Sequence, residues 1–239
     1  MLIINADDWG WSHDSTDRSL DCFRRSRIST ISAMVFMEDS ERAADLAREN
    51  GIPVGLHLNL TQKFSSGALS STLSRHHCRV VRYLKTRKVN QILFNPFLCK
   101  AFDYVFQAQW EEFIRLFETE PTRLDGHHHM HLCMNMIASG RLPRGIKIRR
   151  NFTFGPGEKD PLNRLYRYMV DRWLKSRFQC TDFFFSIEPI DPIRLQRLVL
   201  MSKSSDVEIM VHPGVETQYR YLLSVEWKSL IAKSSVLPH

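Results

Sequence analysis

An α/β fold of the TIM-barrel-like type, a (β/α) barrel of about seven strands that is incomplete, is what this sequence predicts. Three observations point to it. Short apolar, β-branched runs alternate with longer amphipathic ones, the pattern of βα units around a parallel sheet. The short runs number seven rather than eight. The residues able to do chemistry fall at the ends of those runs, where barrels of parallel strands gather their active groups.

The strands are expected at Leu2–Asn5, Thr30–Phe36, Val54–Leu60, Arg123–His129, Ile146–Arg149, Asp182–Ile187 and Val207–His212. The amphipathic periodicity places helices at Asp14–Arg25, Ser40–Asn50, Phe102–Glu118, Pro161–Arg177 and Pro192–Met201. Start signals mark three of them: Ser40 ahead of Glu41, and Asp160-Pro161 and Asp191-Pro192, each an acidic cap before a first-turn proline. Residues 62–100 break the rhythm and read as a partly helical insertion after the third strand. Beyond Gly214 the tail is expected to be helical, with Trp227 and Leu230 as packing residues. No repeat, low-complexity tract or linker divides the chain, so residues 1–239 read as one barrel domain.

Composition narrows the class. The 239 residues are 43% hydrophobic, enough for one well-packed core. No apolar run reaches the roughly 18 residues that span a bilayer. The opening Met-Leu-Ile-Ile runs straight into Asp7 and Asp8, unlike a secretory signal. Five scattered cysteines without a Cys-x-x-Cys pair suit reduced thiols in the cytoplasm. The net charge of +7 is localised: no acidic residue lies between Glu49 and Asp103, while Lys63, Arg75, Arg79, Arg82, Lys85, Arg87, Lys88 and Lys100 do. Such a segment attracts phosphate or an anionic membrane surface. The competing reading is a solvated helix face.

The candidate site comes from four fragments: Asn5-Ala-Asp-Asp-Trp-Gly10, Gly55-Leu-His-Leu-Asn-Leu-Thr61, Asp125-Gly-His-His-His-Met-His131 and His212-Pro-Gly214. Histidine is the commonest metal ligand, and four of them occupy five consecutive positions in the third fragment. If that segment is extended, His127, His129 and His131 share a face with Asp125, which is then suited to orient an imidazole; His128 faces away. One carboxylate with two imidazoles leaves open positions on a divalent metal. A neighbouring carboxylate as base and a histidine as acid complete the equipment for hydrolysis of an amide or ester. No Gly-x-Ser-x-Gly elbow or phosphate-binding Gly-rich loop is present, which disfavours a serine hydrolase or P-loop enzyme.

These four motifs, in this order, resemble those of the YdjC-like carbohydrate deacetylases, which include chitooligosaccharide deacetylases and hopanoid-biosynthesis deacetylases. The resemblance implies a TIM-barrel-like fold and hydrolysis of an N-acetyl group from an amino sugar with one divalent metal, Mg2+ or Zn2+. By motif position it implies Asp8, His57 and His127 as metal ligands, Asp7 as base and His212 as acid. Asp125, His129, His131 and Trp9 would contact substrate or support the ligands. Trp9 stands where the family commonly has phenylalanine. The basic segment is unusual for an enzyme of neutral or cationic chitin fragments. It favours a saccharide that carries phosphate or a lipid anchor, with peripheral membrane contact. Free chitooligosaccharides, phosphoester hydrolysis and a non-catalytic barrel that binds anionic ligands are the alternatives. No nucleic-acid partner is expected, and a homodimer is compatible with the sequence.

Overall fold

The structure, a computed structural model, describes residues 1–67, 69–155 and 157–232. Ala68, inside the expected insertion, and residues 233–239, at the end of the expected helical tail and domain, lie outside the described residues. The strands are β1 (Leu2–Trp9), β2 (Thr30–Ala33), β3 (Val54–Leu58), β4 (Arg123–Gly126), β5 (Lys147–Ile148), β6 (Phe183–Ser186) and β7 (Val207–Val211). Every pairing is parallel, in the order β5-β4-β3-β2-β1-β7-β6. The sheet curls until its edges nearly meet: Ile148 donates to the Gln179 carbonyl at 2.9 Å and Thr153 to that of Phe184 at 2.8 Å. The barrel is therefore seven-stranded and incomplete, as expected.

Strands buried on both faces need apolar residues on both, which is why these read as continuous hydrophobic runs rather than alternating ones. All eight residues of β1 are buried, as are all five of β7. Around the sheet run α1 (His13–Arg24), α2 (Ser40–Glu49), α3 (Ser71–Thr86), α4 (Cys99–Phe117), α5 (Met134–Ala138), α6 (Pro161–Lys175), α7 (Pro192–Met201), α8 (Glu216–Leu223) and α9 (Val225–Ile231). Asp160 and Asp191 cap α6 and α7 as anticipated, accepting from the amides of Asn163 and Arg194. Ser40 does not cap α2. Its hydroxyl accepts from Met37 and donates to the Met34 carbonyl, bracing the turn before the helix.

The segment expected as an insertion is anchored in the wall. Leu73, His77, Val80 and Leu84 of α3, spaced for one helical face, are buried. They pack beside α4, which starts three residues earlier than its periodicity suggested. Gln109 of α4 is fully buried and pairs like a peptide with Asn59, accepting from its N–H at 2.7 Å and donating to its carbonyl at 3.0 Å. That pair ties α4 to the chain leaving β3, directly after His57. In the tail Trp227 is fully buried, with Nε1–H donating to the Arg27 carbonyl, and Leu230 packs against the core.

A candidate metal and catalytic centre

The first fragment does not follow β1 but belongs to it. The β1–β2 register shifts between Ala6 and Trp9, and Asp8 takes a left-handed φ of 64°. This bulge re-aims the chain, as bulges do beside active sites, so Asp7 and Asp8 face different partners. Trp9 was expected to contact substrate or to support the ligands. Its ring is fully buried, with Nε1–H bonded to the Ala43 carbonyl, so it offers no face to a substrate. Trp11, half-exposed, is the ring that borders the site, edge-on to His127 at 5.6 Å.

The histidine fragment departs most from expectation. β4 ends at Gly126, not His129, and residues 127–132 form a 3₁₀ turn in which His128 and His129 are left-handed, with φ of 53° and 60°. Strand alternation therefore does not apply, and the four rings part company. His127 Nδ1 meets Asp8 Oδ1 at 3.0 Å. His128 is exposed, lies 4.0 Å from the His127 ring and hydrogen-bonds Thr61. His129 packs against Phe152 and Phe184. His131 is fully buried and bonds the Arg149 carbonyl through Nε2. Left-handed non-glycine residues cost roughly 1–3 kcal/mol each and persist where surroundings over-determine them, commonly at functional sites.

Glycine makes two of these approaches possible. A Cβ on Gly55 would lie 2.2 Å from the Arg123 side chain, which crosses there to reach Glu208. A Cβ on Gly126 would lie 2.9 Å from both the amide nitrogen and Nδ1 of His131. Gly126→Ala is expected to cost about 1–3 kcal/mol by over-packing, since backbone cannot yield like a flexible side chain. Thermal melting checks this, and the same melt with added metal reads whether the shifted turn has misplaced His127.

Asp8, His57 and His127 present ligand atoms that all lie within 4.8 Å of one another. Asp8 Oδ1 is 3.3 Å from His57 Nε2. Two ligands on one ion, each about 2.1 Å from it, stand roughly 3 Å apart, so the spacing fits. Asp125 accepts at 2.7 Å from His57 Nδ1, which turns Nε2 toward Asp8. A carboxylate so placed fixes the direction of an imidazole ring. His212, just past β7, brings Nε2 to 4.0 Å from Asp8 Oδ2.

Beneath this lies a buried ion network. Arg149, with no exposed side-chain surface, grips both oxygens of Asp7 at 2.7 Å, Asp125 at 2.9 Å and Glu208 at 2.7 Å. Arg123 joins Glu208 at 2.6 Å. Asn5 and Ser32 donate to Asp7 and Asp125. Burial pushes the Asp7 carboxyl toward neutrality, but Arg149 and His57 outweigh it and hold Asp7 well below the usual carboxylate range. Asp125 is likewise lowered, to about 2, by Arg149 against burial. Burial opposes charging His57, yet Asp7, Asp125 and Asp8 raise its pKa to about 10. Four buried carboxylates face two guanidiniums, a deficit of positive charge that an imidazolium relieves in part and a divalent cation would balance. The donor set and the charge both fit such an ion.

Known proteins share similarity with this chain in sequence and in fold. The family model described as YdjC-like protein matches residues 1–233. A chitooligosaccharide deacetylase of Serratia marcescens is 32% identical over 133 residues, 55% of this chain and 51% of that protein. The chain thus spans about half the length of the Serratia protein. A carbohydrate deacetylase of Clostridium beijerinckii is 27% identical over 218 residues, 89% of this chain and 81% of that one. A solved structure from Enterococcus faecalis, provisionally assigned to cellobiose-phosphate cleavage, superposes with a TM-score of 0.70 over all of this chain and 96% of that one, at 17% identity.

Proposed function

The chain belongs to the YdjC-like family, and from that premise we propose that it is a metal-dependent hydrolase that removes an N-acetyl group from an amino sugar. One observation carries the reading: a carboxylate and two imidazoles converge on a point beside a second, clamped carboxylate and a partly exposed histidine. The deacetylase names of the Serratia and Clostridium relatives supply the reaction.

Asp8, His57 and His127 would hold the ion, Mg2+ or Zn2+; two imidazoles in the set lean toward zinc. When bound, the ion supplies Lewis-acid polarisation of a carbonyl and of water. Asp7 is the base. Arg149 keeps it ionised and fixed in orientation, at some loss of basicity. It takes a proton as the oxygen of water bonds to the acetyl carbon. His212 gives a proton to the sugar nitrogen as the C–N bond breaks, releasing acetate and a free amine. His129, His131 and Asp125 hold the surrounding geometry, and Trp11 offers a ring for a sugar face.

The test is acetate release from N-acetylated sugars, free, phosphorylated and lipid-linked. Release that EDTA abolishes, and that Zn2+ or Mg2+ restores, is expected. Release indifferent to EDTA would overturn metal dependence, and release from none of the panel would overturn the reaction. We favour the phosphorylated or lipid-linked members over free chitooligosaccharides, because among the described residues no carboxylate pairs with the basic face of α3.

A further inference from the structure

The stretch between α3 and α4 couples charge with exposed apolar surface in a way the charge pattern alone did not reveal. Two short 3₁₀ turns, Lys88–Gln91 and Pro96–Leu98, and the residues between them expose Val89, Ile92, Leu93, Phe94 and Phe97 to solvent. Phe94 is 46% exposed and Phe97 87%. A folded chain has no reason to display two phenylalanines and three aliphatics together unless something covers them. The display is held in place: Tyr83 Oη donates to the Leu93 carbonyl, Asn90 to that of Tyr83, and Arg79 to that of Phe97.

Along residues 50–102 every formal charge is positive. Arg75, Arg79 and Arg82 lie at helical spacing on the outer face of α3, and Lys85, Arg87, Lys88 and Lys100 follow, all exposed. No carboxylate pairs with any of them among the described residues, and the first acid after the segment, Asp103, is already paired with Arg141. An apolar tip within a basic collar matches the interfacial region of a bilayer, where acyl chains lie beneath anionic headgroups. A nucleic acid or a free phosphate would use the collar but gain nothing from Phe97.

The tip is also tied to the helix that follows the histidine turn. Asn95, between the two turns, exchanges two hydrogen bonds with Asn135 of α5, at 3.0 and 2.8 Å. Asn135 is four residues beyond His131, on the helix that follows the histidine turn. We propose that residues 87–97, with the basic face of α3, dock the protein on an anionic lipid bilayer, so that the mouth of the barrel opens beside the headgroups. A saccharide on a lipid anchor is then the substrate class reached without leaving the membrane, an extension that rests on the deacetylase reading, whereas the docking itself does not.

The experiment is cosedimentation of the full chain with vesicles of phosphatidylcholine alone or with about one-third phosphatidylglycerol, alongside acetate release from a soluble N-acetylated oligosaccharide. Binding to the anionic vesicles only is expected. Phe94→Ser with Phe97→Ser should weaken it at least tenfold or so. Arg75→Gln, Arg79→Gln and Arg82→Gln together should weaken it about a hundredfold. Acetate release from the soluble sugar should be unchanged in both variants. No binding to anionic vesicles would overturn the proposal. So would binding that ignores the phenylalanine substitutions, or that heparin and nucleic acid match in strength. Because vesicle binding is read without turnover, failure of the deacetylase reading would show separately, as absent acetate release with binding intact.

Discussion

Asp7→Asn is expected to lower turnover by about 10²–10⁴-fold, the contribution of a general base, while metal content stays at the wild-type level. The reasoning starts from the different surroundings of two adjacent carboxylates. The partners of the Asp8 carboxylate among the described residues are imidazoles, His127 at 3.0 Å and His57 at 3.3 Å. Asp7 is taken on both oxygens by Arg149. Asparagine at position 7 removes the proton acceptor and leaves the candidate ligand set untouched. It also leaves the buried network closer to balance, with Asp125 and Glu208 facing Arg123 and Arg149, so the fold should survive. Metal analysis alongside kcat separates the roles, and Asp8→Asn provides the contrast: it should lose both. If Asp7→Asn loses its metal and Asp8→Asn keeps it, the two assignments are reversed.

The sequence made the parallel sheet legible because burial on both faces leaves continuous apolar runs, and α7 begins and ends where its capping Asp191 and its periodicity put it. Strand ends were less legible. They are set by backbone twists that no side-chain pattern announces: the bulge at Asp8, and the left-handed pair His128–His129 that ends β4 early. For the same reason the ring directions expected of an extended histidine cluster do not hold. Nor was it legible which side of the wall the Trp9 ring enters, because position beside Asp8 does not say.

Arg149 and Glu208 were missed altogether. Arginine is rarely buried and mostly reads as surface, and one such residue at the end of a short strand carries no spacing signal. The clue was indirect. A site holding Asp7, Asp8 and Asp125 in an apolar barrel needs buried cations, and an arginine at a strand end on the mouth side is where to seek one. Gly55 had the same hidden cause, since its lack of a side chain gives Arg123 its path.

That network carries the other large effect. Arg149→Leu should destabilise the fold by about 3–5 kcal/mol, the cost of leaving buried partners uncompensated. In a chain of this size that lowers Tm by roughly 6–20 °C. Asp125 and Glu208 would then share one guanidinium, Arg123, and Asp7 would lose the one it has. The pH dependence should also change sign. In the wild type Arg149 holds Asp7 and Asp125 below their ordinary pKa of 3.8, so the unfolded chain takes up protons first. Their contribution is complete above that value; that of Asp125 is lost as pH falls toward about 2, and that of Asp7 only in stronger acid. Without Arg149, burial dominates and raises both carboxyls above their unfolded values. The folded variant then binds protons more readily than its unfolded chain, and acid becomes stabilising. Calorimetry at pH 7 and pH 5 should show the variant's Tm rising on acidification while the wild type's does not. Equal slopes would mean that the guanidinium is not what keeps these carboxylates charged. Arg149→Lys should recover little, because one ammonium cannot grip both oxygens of Asp7 and still reach Asp125 and Glu208.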